Sequence, residues 1–258
     1  HTRTVGVIKE DDVEGIVEIA EPVGVVCGIV PTTNPTSTAI FKSLICLKTR
    51  NPIVFSFHPS AVECSIMAAQ IVYKAAVAAG APKNCIQWIE HPTMEGTNAL
   101  MNHPDVSTIL ATGGNAMVRA AYSCGKPALG VGAGNVPAYV EKTCNLRQAV
   151  NDIVLSKAFD NGMICASEQA AIVDQEIYNE FKEEISRFKV YWVNDEEKAK
   201  LEKYMFGAEA YSDKVNEVGT VNAAVVGKAA TWIAEQAGFK VPEDTQILLA
   251  ECKEVGPN

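Results

Sequence analysis

The chain lacks most of the marks that would assign it to a ready-made functional class. Its eight cysteines (27, 46, 64, 85, 124, 144, 165, 252) are scattered without a single C-x-x-C pair. Its four histidines form no cluster, so the spacings that bind zinc are missing and no metal site is expected. Basic residues are in deficit, 22 Lys and Arg against 31 Asp and Glu, for a net charge of −9. That balance argues against nucleic acid and gives no support for an anionic membrane surface. No apolar run approaches the ~20 residues of a membrane span, and the start shows no charged n-region followed by an apolar h-region. There is no internal repeat and no low-complexity tract. The cysteines fall mostly within expected strands and helices, which suits reduced thiols and a cytoplasmic protein.

What is present is a long alternation of short apolar runs and helical patterns over 258 residues. Val23–Val30 reads as a strand buried on both faces. Asn34 then stands where an N-cap belongs and Pro35 where the first helical residue belongs, so a helix is expected from there to about Thr49. Pro52–Phe57 is a second strand. Ala61–Ala79 is a long helix with Gly80 past its end. Cys85–Glu90, Ser107–Ala111, Lys126–Val131 and Ala138–Val140 read as strands, Thr93–Asn102 and Ala116–Ser123 as helices. Such alternation implies βαβ units and a parallel, Rossmann-type sheet. The ligand crevice of such a sheet lies beyond the C-terminal strand ends, here Pro31–Asn34, Phe57–Pro59 and Thr112–Asn115. Exposed N–H groups at those helix starts suit a phosphate-bearing ligand. From Gln175 the chain is more polar. Helices are expected from Asp174 to about Phe188, from Asn194 to about Phe206, and over Thr231–Ala237 ahead of Gly238, with a last strand at Thr245–Ala250.

Gly130-Val131-Gly132-Ala133-Gly134 has the look of a dinucleotide fingerprint, but a further strand rather than a helix follows it, so it reads as a turn. Asn34 has two readings, a helix cap and a donor to an oxyanion, and by sequence alone the cap is preferred. His58, His91 and His103 each precede proline and read as loop residues, and none is placed as a base for a cysteine.

The stretch Phe159-Asp160-Asn161-Gly162-Met163-Ile164-Cys165-Ala166-Ser167-Glu168-Gln169 stands apart. A helix over Leu146–Phe159, with Val150, Ile153 and Val154 on one stripe, leads into Asn161-Gly162, a pair that tolerates positive φ. The apolar run Ala170–Val173 that follows is expected as a buried strand. Cys165 thus sits on a sharp turn between helix and strand, a setting in which a thiol can act as a nucleophile.

These pieces, in this order, resemble the aldehyde dehydrogenase superfamily, and more closely the coenzyme A-acylating domain of the bifunctional aldehyde-alcohol dehydrogenases. Ile29-Val30-Pro31-Thr32-Thr33-Asn34-Pro35-Thr36 and Phe159–Gln169 carry the resemblance most strongly. It implies an α/β fold of the aldehyde dehydrogenase type, with an NAD-binding domain over 1–133 and the first part of a catalytic domain over 134–258. It implies that Cys165 is the nucleophile and that Asn34, with the backbone N–H of Cys165, stabilises the oxyanion. NAD(H) would lie over Pro31, Thr32, Thr33, His58, Gly113 and Gly114, although typical members carry lysine where His58 stands. Coenzyme A is implied as co-substrate, with an aldehyde and its acyl-CoA as reactants in fermentation. Homo-oligomers are implied too, since full-length relatives form helical filaments. Relatives continue on both sides of this chain, so it reads as a piece of a longer protein.

One departure is chemical. Hydrolytic members place a glutamate base near Val131, yet no carboxylate occurs between Cys124 and Tyr139. Without a base to activate water, a cysteine thioester survives to meet another thiol. The rival readings are a hydrolytic enzyme using Glu168, although a structural place at the strand start suits that residue better, and an NAD(H)-binding or assembly role without turnover. A cysteine hydrolase stands further off for want of a paired histidine.

Overall fold

The computed structural model describes residues 2–132, 134–207 and 221–252. The chain divides into two compact units, His1–Ala133 and Gly134–Asn258.

The first unit opens on an antiparallel hairpin of β1 (Gly6–Asp11) and β2 (Ile16–Ala20). The sequence reading missed it because both strands are exposed on nearly every residue and carry no burial alternation. The turn is closed by Asp11, whose Oδ1 accepts from the N–H groups of Val13 (3.1 Å) and Glu14 (3.0 Å). Then follow β3 (Val25–Val30), α1 (Pro35–Lys48), β4 (Ile53–Phe57), α2 (Val62–Ala78), β5 (Ile86–Trp88), α3 (Met94–Asn102), β6 (Val106–Thr112), α4 (Asn115–Tyr122) and β7 (Ala128–Val131). The five strands β3 to β7 form one sheet, all pairs parallel, in the order β5-β4-β3-β6-β7.

Alternate residues of β3 build two cores. Val26 and Val30 join Phe55 and Phe57 beneath α1 and α2. Cys27 and Ile29 join Met101, Ile109 and Ala121 beneath α3 and α4 on the other face. This period of two on a doubly covered sheet explains why the strands read as unbroken apolar runs. The segment Pro59–Ala78, a 3₁₀ turn followed by α2, is 20 residues long, and its most apolar 18-residue window has a mean hydropathy of 1.3. It therefore corrects the view that no apolar run is that long, but Ser65, Ala68 and Ala69 are buried within this unit.

The strand order reverses between β3 and β6. The chain first builds outward through β4 and β5, then returns to lay β6 against the other side of β3. A crevice at such a switch point lies past the carboxyl ends of the two strands. Those ends lead into Pro31–Asn34 and Gly113–Asn115.

The second unit contains β8 (Pro137–Val140), α5 (Leu146–Ala158), β9 (Ala170–Val173), α6 (Tyr178–Ile185), β10 (Val190–Trp192), α7 (Asp195–Phe206), α8 (Ala230–Ala237) and β11 (Ile247–Leu249). β8 pairs with β9 and β10 with β11, both parallel. Val140, Val150, Val154, Phe181, Ile185 and Ile247 form its main core. β9 is half-buried with Ala170 exposed, so it is not the buried strand expected. Strand β10 was also missed, three residues being too few to show a period. Asp174 does not cap the helix after it. Its carboxylate instead accepts from the Tyr139 hydroxyl (2.7 Å) and the Lys142 N–H (2.9 Å), and a 3₁₀ turn precedes α6.

Candidate active site

The first group of residues collects at the carboxyl edge of the five-stranded sheet. β3 delivers buried Pro31, then half-buried Thr32, Thr33 and Asn34. Asn34 occupies the N-cap position of α1 with φ −149° and ψ 63°, and Pro35 follows as expected, but the Asn34 side chain makes no capping bond. Its Oδ1 instead accepts from the Thr33 hydroxyl at 3.4 Å, and among the described residues its Nδ2 has no acceptor. This corrects the preferred cap reading. The position is that of a cap, while the Nδ2 group stays without a partner among the described residues.

β6 delivers Gly113 and Gly114 at the start of α4. Gly113 donates its N–H to the Val131 carbonyl at 3.1 Å. Gly114 has an ordinary φ of −64°, and a Cβ there would project into open space. Among the described residues nothing therefore demands glycine at 114.

His58 follows β4 and accepts from the Ser60 N–H through Nδ1 at 3.2 Å, leaving Nε2 as the donor of an exposed ring. Immediately after it opens a cleft of about 690 Å³, lined by Pro59 to Cys64 and by Glu90 to Thr93. His91, set aside on sequence as a loop residue, is part of this lining. The sequence could not reveal it, because β4 and β5 become neighbours only in the folded sheet. Gly130 and Val131 belong to β7 and the next regular element is strand β8, not the helix a dinucleotide fingerprint opens, while Ala133 of the expected turn lies outside the described residues.

Lys42 went unread. Buried Thr38, Ala39, Lys42, Ser43 and Cys46 form one stripe of α1, and that spacing was the available signal. The Lys42 side chain is 3 % exposed, and its Nζ donates to the carbonyls of Ile29 (2.6 Å) and Leu110 (2.7 Å). One cation thus ties β3 to β6 at the reversal, just below Pro31 and Gly113. Burial pushes its ammonium down to about 7, the neighbouring Cys27 and Cys46 opposing the shift. The same burial pushes Cys27 up to about 12 and Cys46 up to about 11, so both are inert thiols at neutral pH.

The second unit presents the third feature. α5 ends at Ala158, and Asp160, Asn161 and Gly162 all take left-handed backbone, with φ of 52°, 51° and 69°. The expected Asn-Gly turn is therefore one residue longer than its two-residue signature. Asn161 is held there by its Nδ2, which donates to the Gly227 carbonyl at 2.9 Å. Past the loop, Gln169 donates its N–H to Val136 at 2.8 Å and the chain enters β9. Cys165 lies between these anchors with an exposed side chain. Among the described residues its backbone N–H has no acceptor. Ser167, two residues on, is fully buried. Glu168 has a buried Oε2 without a hydrogen-bond partner.

All eight cysteines are free, but only Cys27, Cys46 and Cys64 lie inside regular elements. The expectation that most would do so is corrected: the other five sit in turns or loops. Among the described residues no group of three His, Cys, Asp or Glu could hold a metal ion.

The chain resembles known proteins along nearly its whole length. It is 71 % identical over 259 residues to an aldehyde-alcohol dehydrogenase of Streptococcus pneumoniae, covering all of this chain and 29 % of the relative. Among solved structures, an acetylating aldehyde dehydrogenase from Geobacillus thermoglucosidasius matches with a TM-score of 0.88 at 50 % identity, over 99 % of this chain and 54 % of that one. A Rhodopseudomonas palustris propionaldehyde dehydrogenase, with bound CoA and an acylated cysteine, matches with a TM-score of 0.80 at 34 % identity, over 92 % and 52 %. The chain thus spans under a third of the curated relative and about half of each solved structure. The family model described as the aldehyde dehydrogenase family matches residues 2–245, and the chain belongs to that family.

Proposed function

We propose that this chain carries the NAD-binding unit, over 1–133, and the thiol-bearing part of the catalytic unit, over 134–258, of an acylating aldehyde dehydrogenase. The reaction interconverts acetaldehyde or a short homologue, coenzyme A and NAD⁺ with the acyl-CoA and NADH. The observation that carries this reading is Cys165, exposed three residues past a pinned left-handed turn, its own N–H without an acceptor among the described residues.

The Cys165 thiolate attacks the aldehyde carbon, forming a C–S bond and a tetrahedral oxyanion. The Asn34 Nδ2 and the Cys165 N–H are the donors for that oxyanion. The Asn34 Nδ2, without an acceptor among the described residues, supports the role, since the side chain is not spent on capping its helix. NAD⁺, when bound, supplies the acceptor for the hydride that leaves the carbon. Pro31, Thr32, Thr33, Gly113 and Gly114 would hold it at the strand reversal, a reading that the open space at Gly114 supports, together with His58 beside the neighbouring cleft. Cys165 is left acylated as a thioester, and its acyl group passes to the coenzyme A thiol, returning the cysteine. The lack of a carboxylate between Cys124 and Tyr139 favours this transfer over hydrolysis. The acylated cysteine of the Rhodopseudomonas relative supports the same intermediate. We place the protein in the cytoplasm, in alcohol fermentation and as a homo-oligomer, on its similarity to the aldehyde-alcohol dehydrogenases.

Acyl-CoA-dependent oxidation of NADH by the full-length protein, and its loss in Cys165→Ala, tests the assignment. A Cys165→Ala protein that still reduced acetyl-CoA would overturn it. NADH formation from aldehyde that proceeds equally without coenzyme A would favour the hydrolytic reading.

A further inference from the structure

We infer that Lys157 is a positioning residue for Cys165, bracing both limbs of the loop that carries the thiol. The inference rests on the reading of Cys165 as nucleophile and adds a residue to that machinery.

Lys157 lies in the last turn of α5, where a lysine ordinarily reaches into water and complements the helix dipole. This one is half-buried. Its Nζ donates to the Gln169 Oε1 at 3.2 Å, four residues past the thiol. On the other limb it lies against Gly162, three residues before the thiol. A Cβ added to Gly162 would stand 3.0 Å from the Lys157 Nζ and 3.3 Å from its Cε. One cation therefore touches the entry and the exit of the Cys165 loop.

The surroundings show that the contact is built. Burial holds the ammonium below its ordinary range, and the Glu168 carboxylate pulls in the opposite direction, favouring its charge. Gly162 is favoured by its left-handed backbone, and a side chain added there would press on the Lys157 ammonium. Asn161 holds the same turn to the Gly227 carbonyl. With its limbs tied to one group, the span from Gly162 to Gln169 has far less conformational freedom than an open loop. A thiol and a backbone N–H that must meet one carbonyl together gain directly from that restriction.

The test uses the full-length protein with Lys157→Met, Gln169→Ala and the double variant. Turnover with acyl-CoA and NADH is measured beside the thermal unfolding midpoint and the alkylation of the Cys165 peptide by iodoacetamide, read by mass spectrometry. Lys157→Met is expected to lower kcat by about tenfold to a hundredfold while KM stays near its original value, the pattern of a misplaced reacting group. Cys165 stays open to alkylation and the midpoint holds. Gln169→Ala gives a smaller loss of the same kind, and the double variant is no worse than Lys157→Met alone, because both remove one brace. Gln169 is exposed, so its variant keeps the test available should Lys157→Met fail to fold. A kcat within about twofold of the original in Lys157→Met, or strictly additive losses in the double variant, overturns the inference. Should Cys165→Ala also retain turnover, the proposed function fails; if only Lys157→Met does, the function stands and the brace falls.

Discussion

Replacing Lys42 by methionine should change how stability depends on pH more than it changes stability itself. The wild-type ammonium is buried and donates to two strand carbonyls, and its pKa falls from 10.5 to about 7. Below pH 7 folded and unfolded chains both carry the proton, so the full cost of burying it applies and stability is flat in this term. Between about 7 and 10.5 the unfolded chain still holds the proton while the folded one has released it. Unfolding then takes up a proton, and stability rises with pH by up to ~1.4 kcal/mol per unit, about 5 kcal/mol in all. Methionine keeps the stem, removes the titration and forfeits two hydrogen bonds from a charged donor, each about 1.5–3 kcal/mol. At pH 6.5 relief of burial and loss of the bonds nearly cancel, so the slope is the diagnostic quantity. Cys27 and Cys46 act in the opposite sense, since they stay protonated in the fold and ionise once unfolded above pH 9. The comparison is therefore made between wild type and variant, by urea denaturation from pH 6.5 to 8.5. The wild type should gain stability relative to Lys42→Met at every step above pH 7. Parallel profiles would refute the reasoning, showing that the carbonyls of Ile29 and Leu110 hold the proton against burial.

Three further outcomes are expected. Asn34→Ala should cut turnover about 10²–10³-fold with little change in the melting midpoint, because the side chain makes no capping bond that its loss could break. A lowered midpoint at unchanged turnover would restore the cap reading. Gly28→Ala should destabilise the first unit by about 1–3 kcal/mol in chemical denaturation, since its Cβ would stand 2.7 Å from Phe55 and 2.8 Å from Ile53 in a packed core. Asn194→Ala should cost about 1 kcal/mol in the same assay, as Asn194 and Glu197 form a reciprocal capping box at the start of α7.

Where a structural choice is made by a few consecutive residues, it was legible in the sequence. Asn194 and Glu197 start α7, Gly238 with φ 89° ends α8, and the Asn161-Gly162 pair bends the chain ahead of Cys165. The alternation of apolar runs and helices specified a parallel sheet, because a strand covered on both faces has no polar side to show. The stretches that carry the family resemblance, around Asn34 and Cys165, also stood in plain view. The tertiary structure decided whatever depends on residues distant in the chain. It set the strand reversal at β3 and β6, which brings Pro31 and Gly113 to the ends of adjacent strands. It buried Lys42 beneath those strand ends, though a lysine on a helix is usually solvated. It brought Glu90 and His91 to the cleft at the start of α2, and it drew Asn34 out of the cap that its local sequence favours. Short-range patterns encode turns and periods, which a few dihedral angles satisfy. Which side chain loses its water, and which hydrogen bond it then takes, is settled only when remote strands close around it.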